Sequence, residues 1–230
     1  MKLKQFLLIP ALVVTFFFSA CRTVQPLPQV ELREEGEEAV AGQMVLIVDN
    51  LPNLVFDGKV RASAKTTMVT TAVPVSYTSI TAVTTLPIPP GLNNVAPRTG
   101  VENNRASFGA YMYAYNLPND NDFHVILGDT PVFMAGVTNL INVEVSGLPG
   151  PGNAPFTAVR NAFLQLVGNP LQLPRSTYTC LPVPIAVTVT GGPFWDTQHP
   201  GGNSGTTTCY GGANLKTTNG WELHPVTAIQ

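Results

Sequence analysis

The residues whose types and spacing could do chemistry are the three histidines, each of which follows an acidic residue by two or three positions. The pairs are Asp122 with His124, Asp196 with His199, and Glu222 with His224. Imidazole and carboxylate side chains are ligands that suit zinc or another transition metal. The three pairs therefore indicate a candidate ligand or metal site, provided that the fold brings them together.

Two interpretations of these pairs stay open. Residues two positions apart in a β-strand share a face, so Asp122 would project beside His124, and Glu222 beside His224. A converged site of this kind would take a divalent metal as its cofactor. The alternative is structural: each carboxylate orients a neighbouring histidine or caps a loop end through satisfied hydrogen bonds.

An alternating tyrosine stripe is the second candidate feature. Tyr111, Tyr113 and Tyr115 recur at every second position, so we expect them to share one face of a strand. Such a stripe could stack on bases or sugars. We favour the alternative, in which another element covers the stripe, and the strands predicted within residues 44–83 could supply that cover.

Familiar catalytic motifs are absent from the sequence. There is no G-x-S-x-G turn, no H-E-x-x-H helix, no P-loop and no cysteine nucleophile with histidine support. A nuclease would need arginines for the phosphate charge, and Arg105, Arg160 and Arg175 are too scattered to argue for one. The leading hypothesis is a non-enzymatic binding module, and the alternatives are a metal-dependent hydrolase using the His/carboxylate pairs and a purely structural envelope protein.

The first residues have the pattern of an export signal. Two lysines precede an apolar run from Phe6 to Phe18, which is shorter than the roughly 20 residues of a membrane-spanning helix. Two small residues then stand directly before Cys21, and this arrangement resembles the bacterial lipobox. The resemblance implies a signal peptide over residues 1–20 and a lipid on Cys21. Because Arg22, and not aspartate, follows, an outer-membrane location is favoured.

The composition of the chain limits the classes of partner that it is expected to bind. The chain has 12 Lys and Arg against 14 Asp and Glu, and removing residues 1–20 would take two lysines away. No basic field for nucleic acid remains, so none is expected as a partner. The expected partners are the membrane, through the lipid anchor, and an unidentified envelope ligand or protein. Gly and Pro are abundant, at 20 and 21 residues, which is typical of a turn-rich chain.

Two cysteines remain once Cys21 is assigned to the lipid. Cys180 and Cys209 would then lie in an oxidising compartment, and we expect them to form a disulfide. The alternative is a redox pair or a metal site, but neither C-x-x-C spacing nor a neighbouring histidine supports it.

The sequence predicts that the N-terminal part consists of a tether followed by an extension. Residues 21–42 are Pro-containing and acidic without apolar periodicity, which indicates a solvated tether. Residues 43–104 form the extension, in which Met44–Val48 and Lys59–Val83 are dense in Val, Ile, Thr and Tyr and predict strands and turns. A Pro-rich stretch from Leu86 to Asn104 ends this extension.

Residues 105–230 predict a mainly β domain with one helix. The predicted strands are Ala106–Tyr115, Phe123–Leu127, Val132–Ser146, a strand around Ile185–Val189, and Trp221–Ile229. Helical spacing of Phe156, Val159, Phe163 and Val167 places the helix between the third and fourth strands. This order is the one expected of an OB-like five-stranded barrel. The rival immunoglobulin-like sandwich leaves the helix unexplained.

Three segments of this domain carry a family resemblance. Residues 122–127 contain a D-x-H strand, residues 189–199 lead to F-W-D and a histidine, and residues 219–226 end in E-L-H-P-V. Together they resemble a group of exported bacterial proteins, mostly uncharacterised, over roughly residues 106–229. The resemblance implies an exported protein but brings no activity with it.

Overall fold

The structure is a computed structural model that describes residues 45–47, 51–69, 76–170, 172–174, 177–202, 209–212 and 214–230. The predicted signal peptide, Cys21 and the acidic tether lie outside these residues. Residues 41–230 form one compact unit. Over the described ranges, none of the helices combines the length and the apolar character needed to cross a membrane.

The chain is mainly β, with one six-stranded mixed sheet and few helices. The strands are β1 (Val45–Ile47), β2 (Ser76–Tyr77), β3 (Arg105–Asn116), β4 (Phe123–Gly128), β5 (Leu140–Val145), β6 (Gln172–Pro174), β7 (Thr179–Trp195) and β8 (Trp221–Ile229). The large sheet has the order β2-β3-β4-β5-β8-β7, and β1 pairs with β6 separately. All five strands predicted after residue 104 are therefore confirmed as strands.

In the large sheet, β3 pairs with β4 and also with β7, the last strand in the order. Neighbours β3/β4, β4/β5 and β7/β8 are antiparallel, whereas β5 and β8 are parallel. In addition, β3 pairs with β7 from Ala106↔Gly191 to Tyr115↔Thr179. Strand β5 is shorter than predicted because residues 129–139 form a loop, in which the Asn139 amide side chain donates to the Asp129 carboxylate over 2.5 Å.

Helix α3 spans Ala154–Leu166 and follows two shorter helices, α1 (Ala62–Lys65) and α2 (Ile80–Thr84). The Asn153 side chain caps its first turn, and Gly168 follows its end with a φ of +81°, a conformation that favours glycine. Phe163 is fully buried, with its ring 5.6 Å from that of Tyr115 and 4.8 Å from that of Phe123. The predicted helix and its inward apolar side are confirmed.

Arg160 is a buried cation on this helix that fastens three parts of the chain together. Its guanidinium donates to the Leu51 carbonyl oxygen over 2.8 Å and to the Asn121 carbonyl oxygen over 2.9 Å. It also donates to the carbonyl oxygens of Val145 and Ser146 at the end of β5. These bonds position the chain entering β4 and the chain leaving β5.

The prediction of strands and turns from Lys59 to Val83 is wrong for residues 62–65 and 80–83, which form α1 and most of α2. Among the described residues of this range, β2 is the only strand. Ser79 starts α2 because its hydroxyl accepts from the Ala82 amide over 3.1 Å. Ile80 and Val83, one helical turn apart, are buried against the sheet. Capping and tertiary burial therefore override the strand preference of Thr and Val.

The prediction that the three tyrosines share a face is also wrong. A β-bulge shifts the register between Met112 and Ala114, so side chains beyond it point the opposite way. Tyr115 packs in the main core beside α3, whereas Tyr113 packs in a second cluster with Tyr210. Because Tyr113 and Tyr115 are buried, the stripe is not a stacking platform, and Tyr111 is half-buried beside the second cluster.

The disulfide between Cys180 and Cys209 is present, as predicted. Its Cα atoms lie 5.6 Å apart, and Cys209 is buried in the same cluster as Tyr113. The Tyr210 hydroxyl donates to the Leu181 carbonyl oxygen over 2.7 Å. The bridge therefore joins the start of β7 to residues 209–212.

Candidate functional site

The candidate site lies on the polar face of β4, β5 and β8. Ile141, Val143 and Val145 of β5 enter the main core, so the intervening Asn142 and Glu144 face the other way. The same alternation turns His124 away from the core on β4, and Glu222 and His224 away from it on β8. Asn142 lies opposite Glu222 in the parallel pairing of β5 with β8.

His224 is the centre of this face. Its Nε2 atom lies 3.2 Å from Asp122 Oδ2, and its Nδ1 atom lies 2.6 Å from Glu144 Oε2 and 3.4 Å from Glu222 Oε1. The other oxygen of Asp122 accepts a hydrogen bond from the Gly147 amide over 2.5 Å. Three carboxylates from three different places in the chain therefore surround one buried imidazole.

Glu144 connects the histidine to the remaining polar groups. Its Oε1 atom accepts from Asn142 Nδ2 over 2.8 Å and lies 3.2 Å from His124 Nε2. Its Oε2 atom lies 3.5 Å from Lys65 Nζ at the end of α1. Asn142 also donates to Glu222 Oε2 over 3.2 Å. The amide thus holds both glutamates on the same side of the sheet.

Residues 54–57 and α1 cover the site. The Phe56 amide donates to the Leu148 carbonyl oxygen, and the Leu148 amide donates to the Leu54 carbonyl oxygen. The Phe56 ring meets the His224 ring edge-on, with 6.4 Å between their centroids. Gly147 permits this approach, since a Cβ atom there would lie 2.8 Å from the Phe56 backbone.

A buried ion pair holds α1 in place. Arg61 donates to both carboxylate oxygens of Glu102, over 2.8 and 2.6 Å, and to the Trp195 carbonyl oxygen over 3.0 Å. Its guanidinium carbon lies 4.4 Å from the centre of the Phe194 ring, which neighbours His224. Arg61 therefore fixes the start of α1 against β7, and α1 then delivers Lys65 to Glu144.

Burial and mutual charge shift the pKa values of this cluster. Burial opposes ionisation of Glu144, but the positive charges of His124, Lys65 and His224 outweigh it and hold the pKa of that carboxyl well below its usual range. Burial, with the nearby charge of Glu144, raises the pKa of Glu222 to about 8. Burial would lower the pKa of His224, yet Glu144 and Asp122 dominate and raise it.

The cluster contains polar atoms that face one another without forming hydrogen bonds. Among the described residues, Asp122 Oδ2, Glu144 Oε2 and His224 Nε2 are buried side-chain atoms of this kind. Asp122 and His224 approach within 3.2 Å, so the angle between them, and not the distance, departs from a hydrogen bond. Asp122, Glu144 and His224 could hold a metal ion, because one ligand atom from each lies within 4.8 Å of the others.

No protein-family model, curated protein or solved structure matches this chain. What the site can do therefore has to be inferred from its own geometry. Its contents are a buried imidazole, three buried carboxylates and one ammonium group, a set that can bind a cation or store a proton.

The structure brings together two of the three predicted His/acid pairs. Asp122 and His124 meet Glu222 and His224 through Glu144. The third pair lies apart in the loop after β7, where His199 Nδ1 is 2.6 Å from Asp196 Oδ2 and the His199 side chain is 55% exposed. Asp196 also accepts from the Gln198 amide, so this pair matches the structural alternative, a capped loop end.

Sequence reasoning missed Glu144, Asn142 and Lys65. The first two could have been found, because residues 141–146 alternate strictly between apolar and polar and the polar positions must leave the core. Lys65 carries no such signal. It reaches the site only because Arg61 fixes α1 against β7, which no local pattern predicts.

Proposed function

We propose that this chain is a lipid-anchored protein of the bacterial cell envelope, with the outer membrane favoured, whose OB-like barrel is a non-enzymatic module for an envelope ligand or protein. The anchor rests on the position of Cys21 directly after a short apolar run and two small residues. Lipidation would hold the module at the membrane without any spanning helix.

The OB-like assignment is supported by the order of pairing. The longer strands follow the circuit β3-β4-β5-β8-β7 and return to β3, with the single parallel contact between β5 and β8. Helix α3 falls between the third and fourth strands of this circuit. Both features are those of a closed five-stranded barrel of the OB type, as expected from the sequence.

The observation that carries the non-enzymatic part of the proposal is the burial of the chemically capable residues. Asp122, Glu222 and His224 lie beneath residues 54–57 and α1 and are almost entirely inaccessible. In this cluster, the His124 side chain is the most exposed, at 17%, and the Lys65 side chain is 8% exposed. A substrate could not contact the central imidazole without displacing the cover, whereas a catalytic base must reach its substrate.

Anchoring is tested by metabolic labelling of cells with an alkynyl fatty acid, followed by membrane fractionation. Wild-type protein is expected to be labelled and to sediment with the outer membrane. Cys21→Ser is expected to lose the label and to accumulate unprocessed, whereas Cys180→Ser, a matched cysteine control, keeps the label. Unlabelled wild-type protein in the medium would contradict the proposal.

Binding is tested by thermal shift of the purified protein against peptidoglycan fragments, peptides and oligonucleotides. A saturable rise in melting temperature is expected with one of the first two classes, because a ligand that binds only the folded state stabilises it. Oligonucleotides should give no shift, since the chain lacks a basic field. No shift with any class would favour the purely structural role instead.

A metal-dependent hydrolase is the second candidate, and the observation in its favour is that Asp122, Glu144 and His224 could hold a metal ion. Protein loaded with zinc or manganese would then hydrolyse nitrophenyl phosphate or acetate esters. Turnover that disappears in His224→Ala but persists in His199→Ala would replace the binding proposal with an enzymatic one.

A further inference from the structure

Asp122, Glu144 and His224 come from three separate parts of the chain and meet at one buried point. Asp122 directly precedes β4, Glu144 lies on β5 and His224 lies on β8. Their exposed fractions are 0%, 1% and 0%, and one ligand atom from each lies within 4.8 Å of the others. Buried ionisable groups at such a convergence need a compensating partner.

Two further side chains lie beside this group. Glu222 is hydrogen-bonded by Asn142, and the Lys65 ammonium lies 3.5 Å from Glu144 Oε2. Lys65 therefore contacts Glu144, whereas the ion pair that Asp122 forms among the described residues is with His224. A divalent cation between Asp122 and His224 would bring positive charge to a buried carboxylate that has no ion pair with a described lysine or arginine.

Unsatisfied atoms point to the same place. Asp122 Oδ2, Glu144 Oε2 and His224 Nε2 have no hydrogen-bond partner among the described residues, and each belongs to a side chain that is at least nine-tenths buried. His124 Nε2, beside Glu144, also lacks a hydrogen-bond partner, although the His124 side chain is 17% exposed. Buried polar atoms are almost always satisfied, so a group of metal-ligating atoms that are not is informative.

We propose that Asp122, Glu144 and His224 bind one divalent transition-metal cation, with zinc the best match, in a buried site that joins β4, β5 and β8 beneath α1. Imidazole with carboxylates is a donor set that suits zinc, and three protein ligands leave one tetrahedral position for a further ligand. In tetrahedral zinc sites with bonds of about 2.0 Å, neighbouring ligand atoms are about 3.3 Å apart. His224 Nε2 and Asp122 Oδ2 are 3.2 Å apart, which agrees with such an edge.

The contacts of His224 Nδ1 would orient the imidazole ring for metal binding through Nε2. Its Nδ1 atom contacts Glu222 Oε1 at 3.4 Å, so the carboxyl group of Glu222, which is not one of the proposed ligands, is available for the ring nitrogen that does not bind the metal. Such carboxylate–histidine–metal arrangements fix the ring and strengthen the ligand. A cation here is independent of the lipid anchor and of partner binding, whereas the hydrolase candidate also requires it. Zinc binding without ester hydrolysis would therefore support the site and contradict the hydrolase.

The test uses untagged full-length protein in detergent, stripped with a chelator and then dialysed against zinc chloride. Wild type is expected to retain one zinc per chain by elemental analysis. Glu144→Gln and His224→Ala should bind zinc at least about 100-fold more weakly, since even losing a supporting contact costs 10–100-fold. His199→Ala, a histidine equally close to a carboxylate but outside the group, should bind like wild type.

Two results would overturn the proposal: wild type that holds only substoichiometric zinc, or folded Glu144→Gln that binds as tightly as wild type. If circular dichroism shows that the variants do not fold, zinc K-edge X-ray absorption of wild type decides. It is expected to show only nitrogen and oxygen neighbours with an imidazole scattering pattern. Zinc without an imidazole ligand would overturn the proposal.

Discussion

The substitutions Arg61→Met and Glu102→Gln, made separately and together, are expected to give free energies of unfolding that do not add. Both side chains are fully buried, and Arg61 donates two hydrogen bonds to the carboxylate and others to the carbonyl oxygens of Trp195, Pro97 and Ala96. Removing either partner leaves the other charge buried without compensation, which costs about 3–5 kcal/mol.

The double variant removes both charges at once. The Thr99 and Trp195 amides now bond to different oxygens of Glu102, so the single amide oxygen of the introduced glutamine can still accept from one of them. The introduced methionine can pack against the Phe194 ring. We therefore expect the double variant to cost about as much as one single variant. The coupling energy is then about 3 kcal/mol, at the upper end for residues in direct contact.

Urea unfolding of the purified protein, followed by circular dichroism, measures these differences if the m-values of all variants agree. The exposed pair Lys59 and Asp57 is the control, since its side chains are 82% and 66% exposed and should show no measurable coupling. Additive costs for Arg61 and Glu102, or single variants as stable as wild type, would refute the docking of α1 against β7.

Three further stability effects follow from the core, the disulfide and the cover. Phe163→Ala should cost about 3–5 kcal/mol in urea unfolding because a fully buried ring is lost, whereas Gln165→Ala on the exposed side of α3 should cost little; equal effects would contradict the inward face. Replacing Cys180 and Cys209 together by Ala should lower the free energy of unfolding by about 3.6 kcal/mol relative to oxidised wild type, because the unfolded chain is no longer constrained by a closed loop of 29 residues. An unchanged urea midpoint would argue against the disulfide. Gly147→Ala should lower the free energy of unfolding by about 1–3 kcal/mol, because the new Cβ atom would lie 2.8 Å from the Phe56 backbone. Hydrogen exchange of the Phe56 amide should also become faster. The control is Gly150→Ala, where a Cβ atom has no other atom within 4 Å.

The five strands and α3 were predictable because each has a local signal. Strand β4 is a short apolar run interrupted by His124, β8 begins with alternating apolar and polar residues, and α3 has apolar residues at helical spacing between an asparagine cap and a glycine. Such patterns depend only on residues close in sequence. They place each element within a few residues of its position in the structure.

The bulge in β3 and the two short helices were not predictable in the same way. Perfect alternation of Tyr111, Tyr113 and Tyr115 predicts one face, but the inserted residue between Met112 and Ala114 reverses the orientation of everything after it. Helices α1 and α2 have four and five residues, too few to be stable on their own. They form because the sheet provides a surface for them.

For the candidate site, the sequence by itself determined which side chains leave the core. Alternation places His124 and His224 on the polar faces of their strands, and it would have placed Glu144 there as well. Only the tertiary structure decided that β5 lies between β4 and β8. It also decided that the pair of Asp196 and His199 lies outside the cluster, and that α1 places Lys65 beside Glu144. The physical reason is that a side chain's face is set by the local backbone repeat, whereas its neighbours are set by strand pairing between residues about 80 or 100 positions apart, such as Asn142 with Glu222 and Asp122 with His224.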